Sequence, residues 1–180
     1  MKFRAKKNEI TIILVLFSFF CVLQLHNISK IALYTYNSPE EVIEKNYNFD
    51  NISLSIIGEE TACVVSEEGD SSNITIIPKT DTGWKNATNI NTRRLLHTVK
   101  NNLIISVYTY KKTQDFYIRV CSVDKSEINI SDNRDSLFLV DQSQVDKYVY
   151  YAYVKSLDES YCLYINENEI TLEEENTGDG

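Results

Sequence analysis

Apolar positions run almost unbroken from Ile10 to Leu25, with Thr11, Ser18 and Gln24 the polar exceptions, and Lys2, Arg4, Lys6 and Lys7 stand in front of them. A run apolar on every side of a helix does not fit a surface helix, which keeps one wet face. Its sixteen residues fall short of the roughly 20 that cross a bilayer. Ile28, Ile31, Ala32 and Leu33 continue the apolar pattern, and Lys7 can snorkel from the other end. The expectation is a transmembrane signal anchor over residues 10–30 behind a cytoplasmic basic segment over residues 1–9. A cleaved secretory signal is the alternative, although the exit through Leu23, Gln24 and Leu25 lacks the small pair that cleavage needs. Lys30 alone stands behind the run, so the positive-inside rule places the N-terminus in the cytoplasm and the remainder outside.

Beyond the anchor the period of the pattern changes. Ser38 can cap a helix, Pro39 suits its first position, and Glu41 stands three residues after the serine as in a capping box. Val42 and Ile43 then give a short apolar stripe, so a helix of about two turns is expected over residues 39–46. From Ile52 onward β-branched residues alternate with polar ones. The pattern predicts strands over Ile52–Ile57, Thr61–Ser66, Asn73–Pro78, Leu103–Lys111, Asp115–Val123, Leu137–Val140, Lys147–Lys155, Ser160–Asn166 and Glu169–Leu172. Asn86 to Arg94 reads as a polar connection. Leu157, Asp158 and Glu159 read as a hairpin loop between two tyrosine-rich strands.

The predicted fold is therefore mainly β: one short helix, then antiparallel meander sheets arranged as a sandwich or a duplicated meander. The β-rich domain is expected over residues 31–172, outside the cytoplasm, with an acidic, disordered tail over residues 173–180. In strand 147–155, Tyr148, Tyr150, Ala152 and Val154 share one face, and Tyr151 and Tyr153 lie on the other. That second face is semi-polar, suited to another sheet, the short helix or a partner.

The net charge of −8 repels phosphate backbones, so nucleic acid is not an expected partner. Four cysteines lack any C-x-x-C spacing, which argues against zinc or redox chemistry. Cys21 falls within the anchor. Cys63, Cys121 and Cys162 leave open one disulfide with one free thiol, or none. Histidine is limited to His26 and His97, too few for a His-rich metal site. With five glycines no Gly-rich phosphate loop arises, and no cofactor is expected. Asp132, Asn133, Arg134 and Asp135 suggest calcium by composition but fail the EF-hand spacing, so a plain turn is the better reading. Sequons at Asn27, Asn51, Asn73, Asn86 and Asn129 are expected by chance in a chain this rich in Asn, Ser and Thr.

Tyrosine is the distinctive residue. Tyr148, Tyr150, Tyr151, Tyr153, Tyr161 and Tyr164 fall within one stretch and form the candidate binding face, since rigid amphipathic rings serve protein and carbohydrate recognition. They also simply fill strands. The run Ser38-Pro39-Glu40-Glu41-Val42-Ile43, followed later by Thr82-Gly83-Trp84-Lys85, resembles small exported or membrane-anchored proteins of Gram-positive bacteria. Those proteins pair an S-P-E-E-A-I-type helix start with a G-W-K strand end. Position 42 is Val here in place of Ala, and the likeness spans residues 38 to 85. It implies an envelope location and a small β-rich fold but no activity.

Three functions follow as expectations. The leading one is a non-enzymatic, membrane-anchored extracytoplasmic module of the bacterial envelope, spanning the membrane once and binding a protein or cell-wall partner. The alternatives are an envelope hydrolase or thiol enzyme whose residues meet only in the fold, and an immunity or inhibitor protein using its acidic surface.

Overall fold

The computed structural model describes residues 12–24, 34–69, 71–86, 92–100, 102–124, 126–141 and 148–172. It divides into two compact units, Met1–Thr35 and Tyr36–Gly180. In the first, residues 12–24 form helix α1. Its apolar side chains, among them Leu14, Leu16, Phe17 and Phe20, are exposed. No helix among the described residues is long and apolar enough to cross a membrane. The expected basic segment, the remainder of the 10–30 span beyond α1, and the acidic tail lie outside the described residues.

The second unit opens with helix α2, Pro39–Asn46. The Ser38 hydroxyl accepts from Glu41 N–H at 3.2 Å, and Glu41 answers by accepting from the backbone N–H of Asn37 at 2.9 Å. The capping box is therefore present, with its return bond one residue earlier than the usual partner. Ahead of it, Tyr36 and Trp84 exchange both backbone hydrogen bonds, at 2.8 and 2.9 Å. The helix start and the Gly83–Trp84 strand are thus two parts of one local unit.

Among the described residues twelve strands follow: β1 Asn51–Ile57, β2 Thr61–Glu68, β3 Ser71–Thr80, β4 Gly83–Trp84, β5 Thr92–Lys100, β6 Leu103–Tyr110, β7 Asp115–Ser122, β8 Ile130–Asp132, β9 Leu139–Asp141, β10 Tyr148–Lys155, β11 Cys162–Ile165 and β12 Asn168–Thr171. They build three sheets in the orders β1-β2-β3-β4 (sheet I), β5-β6-β7-β10-β9 (sheet II) and β12-β11-β8 (sheet III). Every described pairing is antiparallel. The architecture is a stack of antiparallel layers, with sheet II in the middle.

Strand alternation produces the stack. On β2, Ala62 and Val64 point one way and join Val42 and Ile43 of α2, Ile77 and Trp84 in one core. Cys63 and Val65 point the other way and meet Tyr117, Cys121, Val149 and Tyr151 of sheet II. The reverse face of sheet II carries Ile105, Val107, Ile118, Val120, Tyr150 and Val154 against Leu163, Ile165 and Ile170 of sheet III. Each fully buried aliphatic side chain contributes about 1.5–3 kcal/mol. A sheet covered on both faces needs apolar side chains at consecutive positions, and Val149 to Ala152 are all buried.

Several expectations need correction. Strand β5 falls where a polar connection was expected, because an edge strand can keep arginines in solvent and a bulge breaks its alternation. Residues 157–159 do not close a hairpin: β10 lies in sheet II and β11 in sheet III. A duplicated meander describes β1–β4 and β5–β7 only, since the chain leaves sheet II after β7 to lay β8 in sheet III. Of the two alternatives left open for Cys63, Cys121 and Cys162, the structure has the one without a disulfide: all three are free. Cys63 and Cys121 are buried between sheets I and II, whereas Cys162 is partly exposed on β11.

Candidate functional site

The six tyrosines do not form one surface. Tyr150, Tyr151 and Tyr161 are 4 %, 1 % and 2 % exposed, whereas Tyr148 is 39 % exposed. Tyr150 and Tyr151 face opposite sides of sheet II, and Tyr164 belongs to sheet III. Most of their hydroxyls are committed to the fold. Tyr150 accepts from Ile128 N–H at 3.1 Å, Tyr151 from Arg119 Nε at 3.2 Å, and Tyr153 and Tyr161 donate to Asp115 and Asp132 at 2.9 and 3.0 Å. Burial pushes Tyr151 and Tyr153 up to about 12, Tyr153 being raised further by the carboxylate it touches. These rings fill the sheets and anchor them by their hydroxyls, as buried tyrosines do.

His97 has a partner that sequence could not supply. A single row crosses sheet II through His97, Ser106, Arg119 and Tyr151. His97 Nδ1 lies 3.0 Å from Ser106 Oγ. A base beside a hydroxyl is the first element of nucleophilic catalysis. Ser106, however, is 1 % exposed, and neither residue lines a described cavity. In this conformation Ser106 is closed to a substrate carbonyl, and the contact links the two strands.

The segment read as calcium-like by composition is a hydrogen-bonded turn at the end of β8. Asp132 Oδ1 accepts from the N–H groups of Arg134 and Ser136, at 3.0 and 2.9 Å, and Oδ2 accepts from Tyr161. Arg134 pairs with Asp158 at 2.7 Å, bonds the Lys155 and Ser156 carbonyls, and covers the Tyr161 ring. Both Asp132 carboxylate oxygens and Asn133 Oδ1 are already accepting protein hydrogens. No group of three or more potential metal ligands occurs among the described residues.

Two cavities lie at β5. Arg94 pairs with Tyr108 and Leu96 with Val107, so Leu95 is an inserted residue. Bulges re-aim side chains. Here Leu95 and Leu96, although consecutive, both line one cavity of about 560 Å³ between sheets II and III. Val107, Phe116, Leu157 and Leu172 complete its apolar wall, with Asp158 and Glu159 among its polar members. The Asp158 carboxyl is held below its ordinary value by hydrogen bonds from Ser160 and from Arg134. Asp158 is already paired with Arg134, so the arrangement suits an apolar group with a positive charge placed at Glu159. Across the strand, on the side facing sheet I, Arg94 lines a separate cavity of about 340 Å³.

Sequence reasoning missed this region because its signal, two arginines followed by two leucines in a polar stretch, resembles neither a strand nor a site. Comparison with known proteins adds no identity: no family model, no curated protein and no solved structure matches this chain.

Proposed function

We propose that the chain is a non-enzymatic binding module of the bacterial envelope, anchored through residues 10–30 with its β domain outside the cytoplasm. The cavity at the β5 bulge carries this reading. It is the largest described cavity, and apolar side chains dominate its lining, the usual composition of a recognition pocket. Its polar groups are largely committed: Asp158 to Arg134 and Ser160, Tyr161 to Asp132. The partner it fits presents an apolar side chain next to a basic one. Anchoring is supported by the charge asymmetry around the apolar run and by the exposed apolar side chains of α1.

The test uses the full chain in cells. A cysteine introduced at Asn176 is expected to react with a membrane-impermeant thiol reagent without permeabilisation. A photo-crosslinking residue at Leu157 is expected to yield a discrete adduct, lost when Glu159 and Leu95 are replaced by Lys and Asp. Labelling only after lysis overturns the location, and the absence of a saturable adduct overturns the binding role.

The His97–Ser106 contact favours a second reading, an envelope hydrolase. It requires a motion that uncovers Ser106. Covalent labelling of Ser106 by a fluorophosphonate, abolished in His97→Ala, would establish it; an unlabelled, folded protein would remove it.

A further inference from the structure

The cavity on the other side of β5 has a different chemistry. It opens between β3 of sheet I and β5–β6 of sheet II, with the segment after α2 closing one side. Its volume of about 340 Å³ lies at the lower end of the roughly 300–1,000 Å³ range of small-molecule sites. Three aromatic rings contribute to it. Tyr47 and Phe49 stack with centroids 5.4 Å apart and planes 7° from parallel, and Tyr108 lies opposite Arg94 on the neighbouring strand. Thr75 and Thr92 add two hydroxyls, and Asn73 an amide whose N–H group already donates to Glu68 at 3.0 Å, which leaves its oxygen for a ligand. Thr92 Oγ1 is buried without a hydrogen-bond partner.

Charge distinguishes this cavity from the rest of an acidic protein. Arg94 lines it and makes no ion pair or hydrogen bond among the described residues. Arg119, two strands further in on the same face, donates only through Nε to Tyr151 among the described residues. A guanidinium presents donors in a planar fork that matches a carboxylate in two parallel bonds. Aromatic faces accept the C–H faces of a sugar ring, while amides and hydroxyls suit its hydroxyl groups.

We infer that the cavity between β3 and β5 is a binding site for a pyranose ring bearing one carboxylate, with Arg94 taking the carboxylate. The ring lies against the aromatic wall, and Asn73 and Thr75 face its hydroxyls. One residue then sets the acid preference. The two cavities lie on opposite faces of β5, so this site stands or falls independently of the protein-binding cavity. The location test and the Leu157 adduct do not report on it.

The experiment is ligand-observed saturation-transfer NMR on the full chain in detergent micelles, with methyl glucuronide, methyl glucoside, acetate and an acidic tripeptide as probes. The expected result is saturable binding of the glucuronide, about tenfold tighter than the glucoside, and no saturable binding of acetate or peptide. Arg94→Gln is expected to remove the tenfold difference by weakening the glucuronide alone, and Arg94→Lys to restore part of it. Arg94 is exposed and unpaired among the described residues, so its replacement leaves the fold intact, as an unchanged thermal melt would verify. Equal binding of both sugars, no saturable sugar binding, preference for the peptide, or a glucuronide affinity unmoved in Arg94→Gln would each overturn the assignment.

Discussion

A Cβ placed on Gly58 would stand 2.7 Å from Asp115 Oδ2 and 2.8 Å from the Tyr117 hydroxyl, so the turn between β1 and β2 is pressed directly onto the centre of sheet II. Asp115 is 1 % exposed and ties the two layers together. Its Oδ2 accepts from Glu60 N–H, Thr61 N–H and the Thr61 hydroxyl at 2.8, 2.7 and 2.9 Å. Gly58→Ala must displace this cluster, because the groups it meets are held by several bonds. Overpacking of this kind costs about 1–3 kcal/mol. The urea midpoint is expected to fall by that free energy divided by the m-value, with the m-value itself unchanged, and an unchanged midpoint would show that the turn yields freely.

The thiols are predicted to separate by layer. Burial pushes the Cys63 thiol up to about 12, and Cys121 is 2 % exposed in the same core. Thiolate is the reactive form. Cys162 is partly exposed, and its thiol donates to Glu169 at 3.4 Å. In a Cys21→Ser background, an aromatic disulfide reagent is expected to modify one thiol in the native protein and all three in denaturant. Mass mapping of the first adduct to Cys63 or Cys121 would contradict the layer assignment.

Two pH windows follow from the hydrogen-bonded groups. Burial alone would raise the Asp132 carboxyl, but hydrogen bonds from Ser136, from Arg134 N–H and from Tyr161 outweigh it and hold the group below 3.8. A depressed folded value means stability that is present above the unfolded value and lost as the pH falls through the folded one. Tyr151 and Tyr153 have the opposite sign. Burial holds them at about 12 against an ordinary 10.0, so their contribution is complete below pH 10 and lost as the pH rises toward 12. Asp132→Asn is expected to flatten the acid limb of a urea-midpoint profile and leave the alkaline limb in place. Phenolate absorbance is expected to show a late class of tyrosines that ionises only together with loss of far-UV CD.

How much of this was legible beforehand depends on whether a signal was local. Helix α2 could be placed at Pro39–Asn46 because Ser38, Pro39 and Glu41 form its start among themselves. Strands β1, β2, β3, β6 and β7 could be placed because β-branched runs end at turn residues. Strand β5 was missed because Arg93 and Arg94 read as solvent-exposed coil, and the inserted Leu95 removes the period-2 pattern. The layering was also invisible. Tyr151 and Tyr161 look alike in sequence, yet one packs between sheets I and II and the other between sheets II and III. That difference arises where the chain leaves sheet II after β10, and nothing in residues 156–160 announces the move. The cavity between sheets II and III depends on the bulge and on this sheet change, so it could not be read from the residues that line it.

The turn between β11 and β12 offers a stabilising substitution. Asn166 and Glu167 have φ of 50° and 67°, and Ile165 pairs with Asn168 across them. Two consecutive residues at positive φ in a two-residue hairpin loop make a type I′ turn, for which Asn-Gly is the favoured pair. Asn166 already fits. Glu167 has a Cβ that costs about 1–2 kcal/mol in this conformation, partly offset in glycine by the greater freedom of the unfolded chain. Glu167→Gly is therefore expected to stabilise the fold by about 0.5–1 kcal/mol, read as a higher urea midpoint and melting temperature. Glu159→Gly, in a loop without a positive φ at that position, is the control and is expected to give no gain. Equal shifts in both variants would mean that lost negative charge, rather than relief at the turn, stabilises the protein.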